Sequence, residues 1–271
     1  MNSPVNRPPP ILDHKHHAEP PVFRAENLLR EARRQRRLPH LPVPELCILD
    51  PDGDIVRTLR ADGRGQPFAG WACYHTEMVT FELAGERVGI VGCAVGASFA
   101  VLIAEQMFAS GCRLLLSVTS AGRIGPDLPA QAFFVLIERA LRDEGTSYHY
   151  APSDQRFAYA DPALVALAAG ALAGTGLPVL RGAVWTTDAP FRETAEAIAA
   201  AANDGALAVE MEAAALYAFA QAQQRPVICL AHVTNQMAQI EGDFEKGDAD
   251  GTKDALTVLS SILLSWRQAS G

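Results

Sequence analysis

Apolar residues along this chain gather in short runs separated by longer amphipathic stretches, and the two alternate from residue 45 onward. The runs ELCIL (45–49), MVTFEL (78–83), RVGIVG (87–92), RLLLSV (113–118), FFVLIE (133–138), VLRGAVW (179–185) and PVICLAHV (226–233) are rich in Val, Ile and Leu. They end at Gly, Pro or charge, which predicts strands. Between them, residues 97–110, 161–173, 193–203, 212–223 and 252–268 carry the pattern of helices. Such alternation predicts an α/β fold around a central sheet, and 271 residues suffice for one large core.

The first 44 residues read differently. Residues 1 to about 22 are polar and proline-rich and are expected to form an arm, and AENLLREARRQRRL follows as one helix. Arg30, Arg33, Arg34, Arg36 and Arg37 crowd that helix, which predicts a solvated basic face or an arm docked on a partner subunit. A formal net charge of −8 argues against nucleic acid as a partner. No uncharged apolar run matches a bilayer span and the N-terminus lacks signal-peptide character, so no membrane association and a cytoplasmic location are expected. Cys47, Cys73, Cys93, Cys112 and Cys229 are widely spaced without a CxxC pair, and most are expected to be buried thiols. His14, His16 and His17 lie in the arm without cysteine or carboxylate at ligand spacing, so no metal is expected. No dinucleotide fingerprint is present either.

In an open α/β sheet, ligands bind where strands end and helices begin. GCAVGAS, TSAGRIG, TTDAPFRET and VTNQM are polar loops expected at such ends. GCAVGAS opens a helix and offers free N–H groups to an anion or sugar oxygen; alternatively it is a tight turn in which Gly92 and Gly96 serve the backbone alone. AVEMEAAALYAFA (208–220) says more. Glu210 and Glu212 fall on different faces of a helix but on one face of an extended segment. The segment is therefore expected to turn from extended to helical at Met211 or Glu212, which puts a carboxylate among the unpaired N–H groups of a first helical turn. An ionised carboxylate accepts two parallel hydrogen bonds, as the vicinal diol of a ribose offers. A helix-start glutamate without a ligand is the plainer alternative.

GIVGCAVGASFAVLIAEQMFASGCRLLLSVTSAG, ALRDEGTSYHYAP, TTDAPFRET, AVEMEAAALYAFA and VTNQ, in this order over about residues 45–266, resemble the nucleoside phosphorylase superfamily. That family includes uridine phosphorylases, hexameric purine nucleoside phosphorylases and methylthioadenosine/adenosylhomocysteine nucleosidases, and ALRDEGTSYHY looks most like the first of these. The resemblance implies a single-domain three-layer α/β sandwich with a central mixed sheet over residues 45–271, after an N-terminal arm and basic helix over 1–44. It implies cleavage of the N-glycosidic bond of a nucleoside without a cofactor. It further implies that Met211 packs on the sugar, Glu212 holds its hydroxyls, Glu210 supports sugar or base, Phe191 lines the base, and Ser120 lies near the acceptor. A homo-oligomer (dimer, trimer or hexamer) with its active site near a subunit interface is implied as well.

The acceptor side departs from that pattern. Where phosphorylases of the family have Gly-Asp-Pro followed by an arginine, this chain has ILDPDGDIVRTL, with Leu49 for the glycine and Gly53 or Asp54 near the arginine. Ser117 stands at a second arginine position and Tyr74 or His75 at a third. Arg57, Arg60, Arg123 or a protonated His75 could bind phosphate from new directions, with Gly96 and Ser120 completing a phosphate or water site. The hydrolytic branch also lacks those arginines and activates water with a first-loop carboxylate; Asp54 or Asp52 falls there, as general base or as a solvated acidic turn. Asn235 replaces an aspartate that protonates purines, which favours a pyrimidine or 6-oxopurine whose departing charge a hydrogen bond stabilises. Arg192, Thr234, His232 and Gln236 are further candidates for base contact. Three readings stay open. One is a phosphorylase with inorganic phosphate as co-substrate, releasing free base and pentose 1-phosphate, slightly favoured by family frequency. The others are a nucleosidase using Asp54 or Asp52, and a non-catalytic nucleoside- or base-binding protein.

Overall fold

A computed structural model describes residues 7–125, 128, 129, 131–235, 246 and 251–270. In chain order the elements are α1 (Ala25–Arg36), β1 (Leu46–Asp50), α2 (Asp54–Ala61), β2 (Gln66–Pro67), β3 (Val79–Leu83), β4 (Glu86–Gly92) and α3 (Ala97–Ala109). Next come β5 (Leu114–Arg123), β6 (Phe133–Asp143), β7 (Phe157–Tyr159), α4 (Pro162–Leu172), β8 (Val179–Thr187) and α5 (Ala195–Asn203). The last four are β9 (Ala206–Glu210), α6 (Ala213–Gln223), β10 (Val227–Asn235) and α7 (Thr252–Ser270). Every predicted apolar run is a strand. Several strands continue into stretches expected to be loops: TSAGR belongs to β5, the TT of TTDAPFRET to β8 and VTN to β10. Conversely, the acidic turn DPDGD leads at once into α2.

One mixed sheet runs β10-β6-β8-β9-β5-β1-β4-β3-β2, with β7 added to β6. β1 lies parallel between β4 and β5, whereas β3 and β4 are antiparallel. β10 pairs on both edges, parallel to β5 and antiparallel to β6. β9 is parallel to β8 and meets the far end of β5 antiparallel at Gly122 and Arg123. The strands β5, β10, β6, β8 and β9 therefore close into a ring. Closure needs strands that bend and change partner. β5 serves β1 over its first residues and β9 over its last, and register shifts at Val233/Asn235 in β10 and Ile137/Arg139 in β6 relieve the curvature.

Helices pack on this sheet in two groups, α1–α3–α6 and α2–α7–α4, which makes three layers. α6 is buried from Ala213 to Phe219 without an exposed face, and its alanines let the backbone sit close to the strands. α1 buries Leu29 and Ala32, and its Arg36 donates to the Cys73 carbonyl at 2.8 Å. The basic helix is thus seated on its own chain, and its outward Arg30 and Arg34 bind Glu31. The arm is tethered by His17, whose Nε2 is hydrogen bonded to the Tyr148 carbonyl. The ALRDEGTSYHY stretch is consumed internally. Buried Arg142 donates to Ser147 Oγ and to the carbonyls of Ala151, Pro152 and Gln155, while Glu144 accepts the N–H groups of Thr146 and Ser147. Among the described residues no helix is long and apolar enough to cross a membrane.

Tyr217 ties α6 to the ring. Its hydroxyl donates to the Ile137 carbonyl of β6 at 2.7 Å and accepts the Cys229 N–H of β10 at 3.0 Å. Tyr217→Phe leaves both backbone groups buried without that partner and should cost about 1–3 kcal/mol. Urea unfolding should report this as a lower midpoint with an unchanged slope.

Candidate active site

The loops after β1 and β4 touch because two glycines permit it. Gly53 has φ +80°, and a Cβ there would lie 2.5 Å from Cys93 Sγ; a Cβ on Gly92 would lie 2.9 Å from Val56 Cγ2. Asp50 knots the approach. Its carbonyl accepts the N–H groups of Gly53 and Cys93, and its carboxylate accepts the Val56 N–H at 2.9 Å. Burial pushes the Asp50 carboxyl up to about 7, with the charges of Asp52 and Asp54 adding to the rise.

That knot aims the next two acids differently. Asp52 faces β5 and accepts the Ser120 N–H at 2.7 Å and the Ser120 hydroxyl at 2.8 Å. Asp54, at the first turn of α2, binds Arg57 through one oxygen and Lys246 Nζ through the other, the latter at 2.5 Å. Lys246 Nζ also lies 3.7 Å from Asp52. Asp52, rather than Asp54, is thus the acid in contact with Ser120. Lys246 had no signature in the sequence: a single lysine in the polar stretch EKGDADG follows no periodicity, and only its contacts reveal it.

The VEME segment turns where its pattern demanded, with β9 ending at Glu210 and α6 beginning at Ala213. Its two glutamates have separate tasks. Glu210 accepts the N–H groups of Glu212 and Ala213, each at 2.8 Å, and the Thr186 hydroxyl. It caps the helix, and its bonds are to the chain's own groups instead of the expected sugar or base. Glu212 Oε1 accepts the Gly96 N–H at 2.7 Å, whereas Oε2 is buried with no hydrogen-bond partner among the described residues. Gly96, expected at the phosphate or water site, is therefore bound to the sugar-site candidate. A buried, unpartnered carboxylate oxygen marks a place for a donor. Half-buried Met211 adjoins it.

The remaining candidates scatter. Ser117 is buried within β5 between Leu49 and Cys229, three residues deeper than Ser120. Arg123 lies over the Phe133 ring and donates to the Leu128 carbonyl. His75 is exposed on the loop before β3, where neighbouring Tyr74 donates to Gln35 of α1. Asn235 is buried at the end of β10 beside Gly122, with its amide toward Thr234 Oγ1. His232 stacks on Phe134 at 4.2 Å and is held by burial at a pKa of about 4, hence neutral. Phe191 and Arg192 form an exposed single turn, with Phe191 99% exposed, so in one chain almost nothing touches its ring. Gln236 lies outside the described residues. Among the described residues no cluster of His, Cys, Asp or Glu is placed to hold a metal. Cys93 is the exposed exception to the expectation of buried thiols.

Burial raises both glutamate carboxyls above their ordinary value of 4.5. For Glu212 the charge of Glu210 adds to the effect, and for Glu210 its three donors oppose it. The folded protein thus keeps protons that the unfolded chain releases, so unfolding free energy falls as pH rises from about 4.5 through neutrality. Glu212→Gln is uncharged at every pH and should flatten that slope. Thermal unfolding should show the variant gaining on the natural protein at pH 8 relative to pH 4.5; parallel curves would refute the buried-acid assignment.

A family model described as the phosphorylase superfamily matches residues 45–264. A search of curated proteins by sequence returns no match. Among solved structures, the chain is similar to uridine phosphorylase from Vibrio fischeri ES114 at 19% identity and a TM-score of 0.68, covering 81% of this chain and 90% of that one. It is similar to 5′-methylthioadenosine/S-adenosylhomocysteine nucleosidase from Neisseria meningitidis at 19% identity and 0.66, covering 81% and 98%. AMP nucleosidase from Bacteroides thetaiotaomicron aligns at 19% identity and 0.68, covering 84% and 91%. With a family model matched over most of its length and this mixed α/β fold, the chain belongs to the phosphorylase superfamily of nucleoside phosphorylases and nucleosidases.

Proposed function

We propose that this protein hydrolyses the N-glycosidic bond of a nucleoside, with Asp52 as general base and Glu212 as the sugar ligand. The observation that carries the reading is the pair of hydrogen bonds from Ser120 to Asp52. They fill the expected acceptor position with a carboxylate. Inorganic phosphate as co-substrate would have to displace Asp52 from Ser120 and settle beside that carboxylate's like charge. Water meets no such barrier, and each Asp52 carboxylate oxygen, holding one Ser120 donor, keeps a lone pair for another. The acceptor preference drawn from family frequency therefore reverses.

In the reaction, Glu212 Oε2 engages the ribose hydroxyls. Water attacks C1′ as the C1′–N bond breaks, and its proton passes to Asp52. The base departs with the bonding electron pair, steadied by a hydrogen bond from Asn235, and takes up a proton from solvent. An amide at this position suits a pyrimidine or 6-oxopurine. Arg192 and Phe191 complete the base side once a second copy of the chain covers the exposed aromatic ring, and a homo-oligomer is part of the proposal.

The test is release of free base from uridine, thymidine, inosine, guanosine and adenosine, with and without phosphate. Release independent of phosphate is expected, and strict phosphate dependence overturns the hydrolytic reading. Asp52→Asn should lower kcat by about 10²–10⁴-fold. Binding without release by the natural protein would support a non-catalytic role instead.

A further inference from the structure

Lys246 brings an ammonium group into a site otherwise crowded with acids. Its side chain is 14% exposed, 2.5 Å from Asp54 Oδ2 and 3.7 Å from Asp52 Oδ1. A lysine ammonium is strongly hydrated, and enclosing it is unfavourable unless anions replace the water. Here two carboxylates do so, and they in turn would repel each other without it. We propose that Lys246 is a positioning residue for the acceptor step: it links Asp54 to Asp52 and so holds the Asp52 carboxylate in register with Ser120. The inference rests on the hydrolytic reading above. It recasts Asp54 as a strut, with one oxygen on Arg57 and the other on Lys246.

Arg57 does not duplicate the link. It reaches the Asp52 carbonyl and not its carboxylate, and its side chain is 59% exposed, where solvent screens its charge. The other ionisable groups facing the pair are Asp50 from β1, Glu212 from the start of α6, and His232 from β10 with Asp254 of α7 beside it. His232 is neutral, and Asp254, Asp50 and Glu212 are acids. None of them supplies the positive charge that Lys246 does.

The experiment compares Lys246→Met, Lys246→Arg and Asp52→Asn in the full chain, with the nucleoside that the natural protein cleaves fastest among the five named above. Lys246→Met should lower kcat about 10²-fold, the scale of a misplaced catalytic group, with KM changed less than about threefold. Lys246→Arg should recover most of kcat. An unaltered kcat in Lys246→Met overturns the proposal. So does a lower kcat with a matching loss in KM and no recovery in Lys246→Arg, the pattern of a merely structural lysine. The parallel Asp52→Asn variant separates the two failures. If it stays active, the hydrolytic reading falls and the inference with it. If it is inactive while Lys246→Met is normal, only the inference falls.

Discussion

Glu210 is the group on which the pocket depends. Its carboxylate binds the N–H groups of Glu212 and Ala213 and so converts β9 into α6 within two residues. Thr186 of β8 completes the arrangement by donating to Glu210 while accepting the Ala214 N–H. The turn is therefore locked to the neighbouring strand as well as to its own helix. Its result is that Glu212, which would otherwise extend α6 by one residue, points at Gly96 on the adjacent loop. A carboxyl buried this deeply is costly in isolation; three donors and a helix start offset part of the desolvation, and the remainder raises its pKa.

The sugar half and the acceptor half are built on different parts of the chain. Glu212 comes from the β9–α6 turn, whereas Asp52, Asp54 and Ser120 come from the β1–α2 loop, α2 and β5. They meet only because Gly53 and Gly92 let the loops after β1 and β4 close on each other. Changes in the first loop can thus alter what attacks the sugar without disturbing what holds it. That separation is consistent with one fold serving both uridine phosphorylase and nucleosidases among the similar structures.

Much of this was legible in the residues. Strand and helix alternation gave the fold class, and the two-residue spacing in VEME gave the switch from extended to helical. What the pattern concealed follows from three physical causes. TSAGR and VTN contain turn-forming residues, yet they stay extended because ring closure supplies them with neighbouring strands. DIVRTLRA hid as a helix because its acidic start looked like the end of a turn, although Asp50 and Gly53 cap it from upstream. The third cause is distance in sequence. Nothing local indicates that Asp52 will meet Ser120, or that Lys246 will meet Asp54 across 192 positions. Glu210 shows the reverse limit, since a carboxylate that reads as a ligand from its neighbours is used to start a helix.

The closed ring has a consequence for the order of events in a cell. β10 is the strand that joins β5 to β6, and both of its edges pair with segments made far earlier. During synthesis the ribosome must therefore deliver residue 235 before the wall carrying Ser120 acquires its neighbour. Until then the middle of the chain waits with unsatisfied strand edges, the condition in which chaperones find their clients. The pocket cannot be completed piecemeal from the N-terminus.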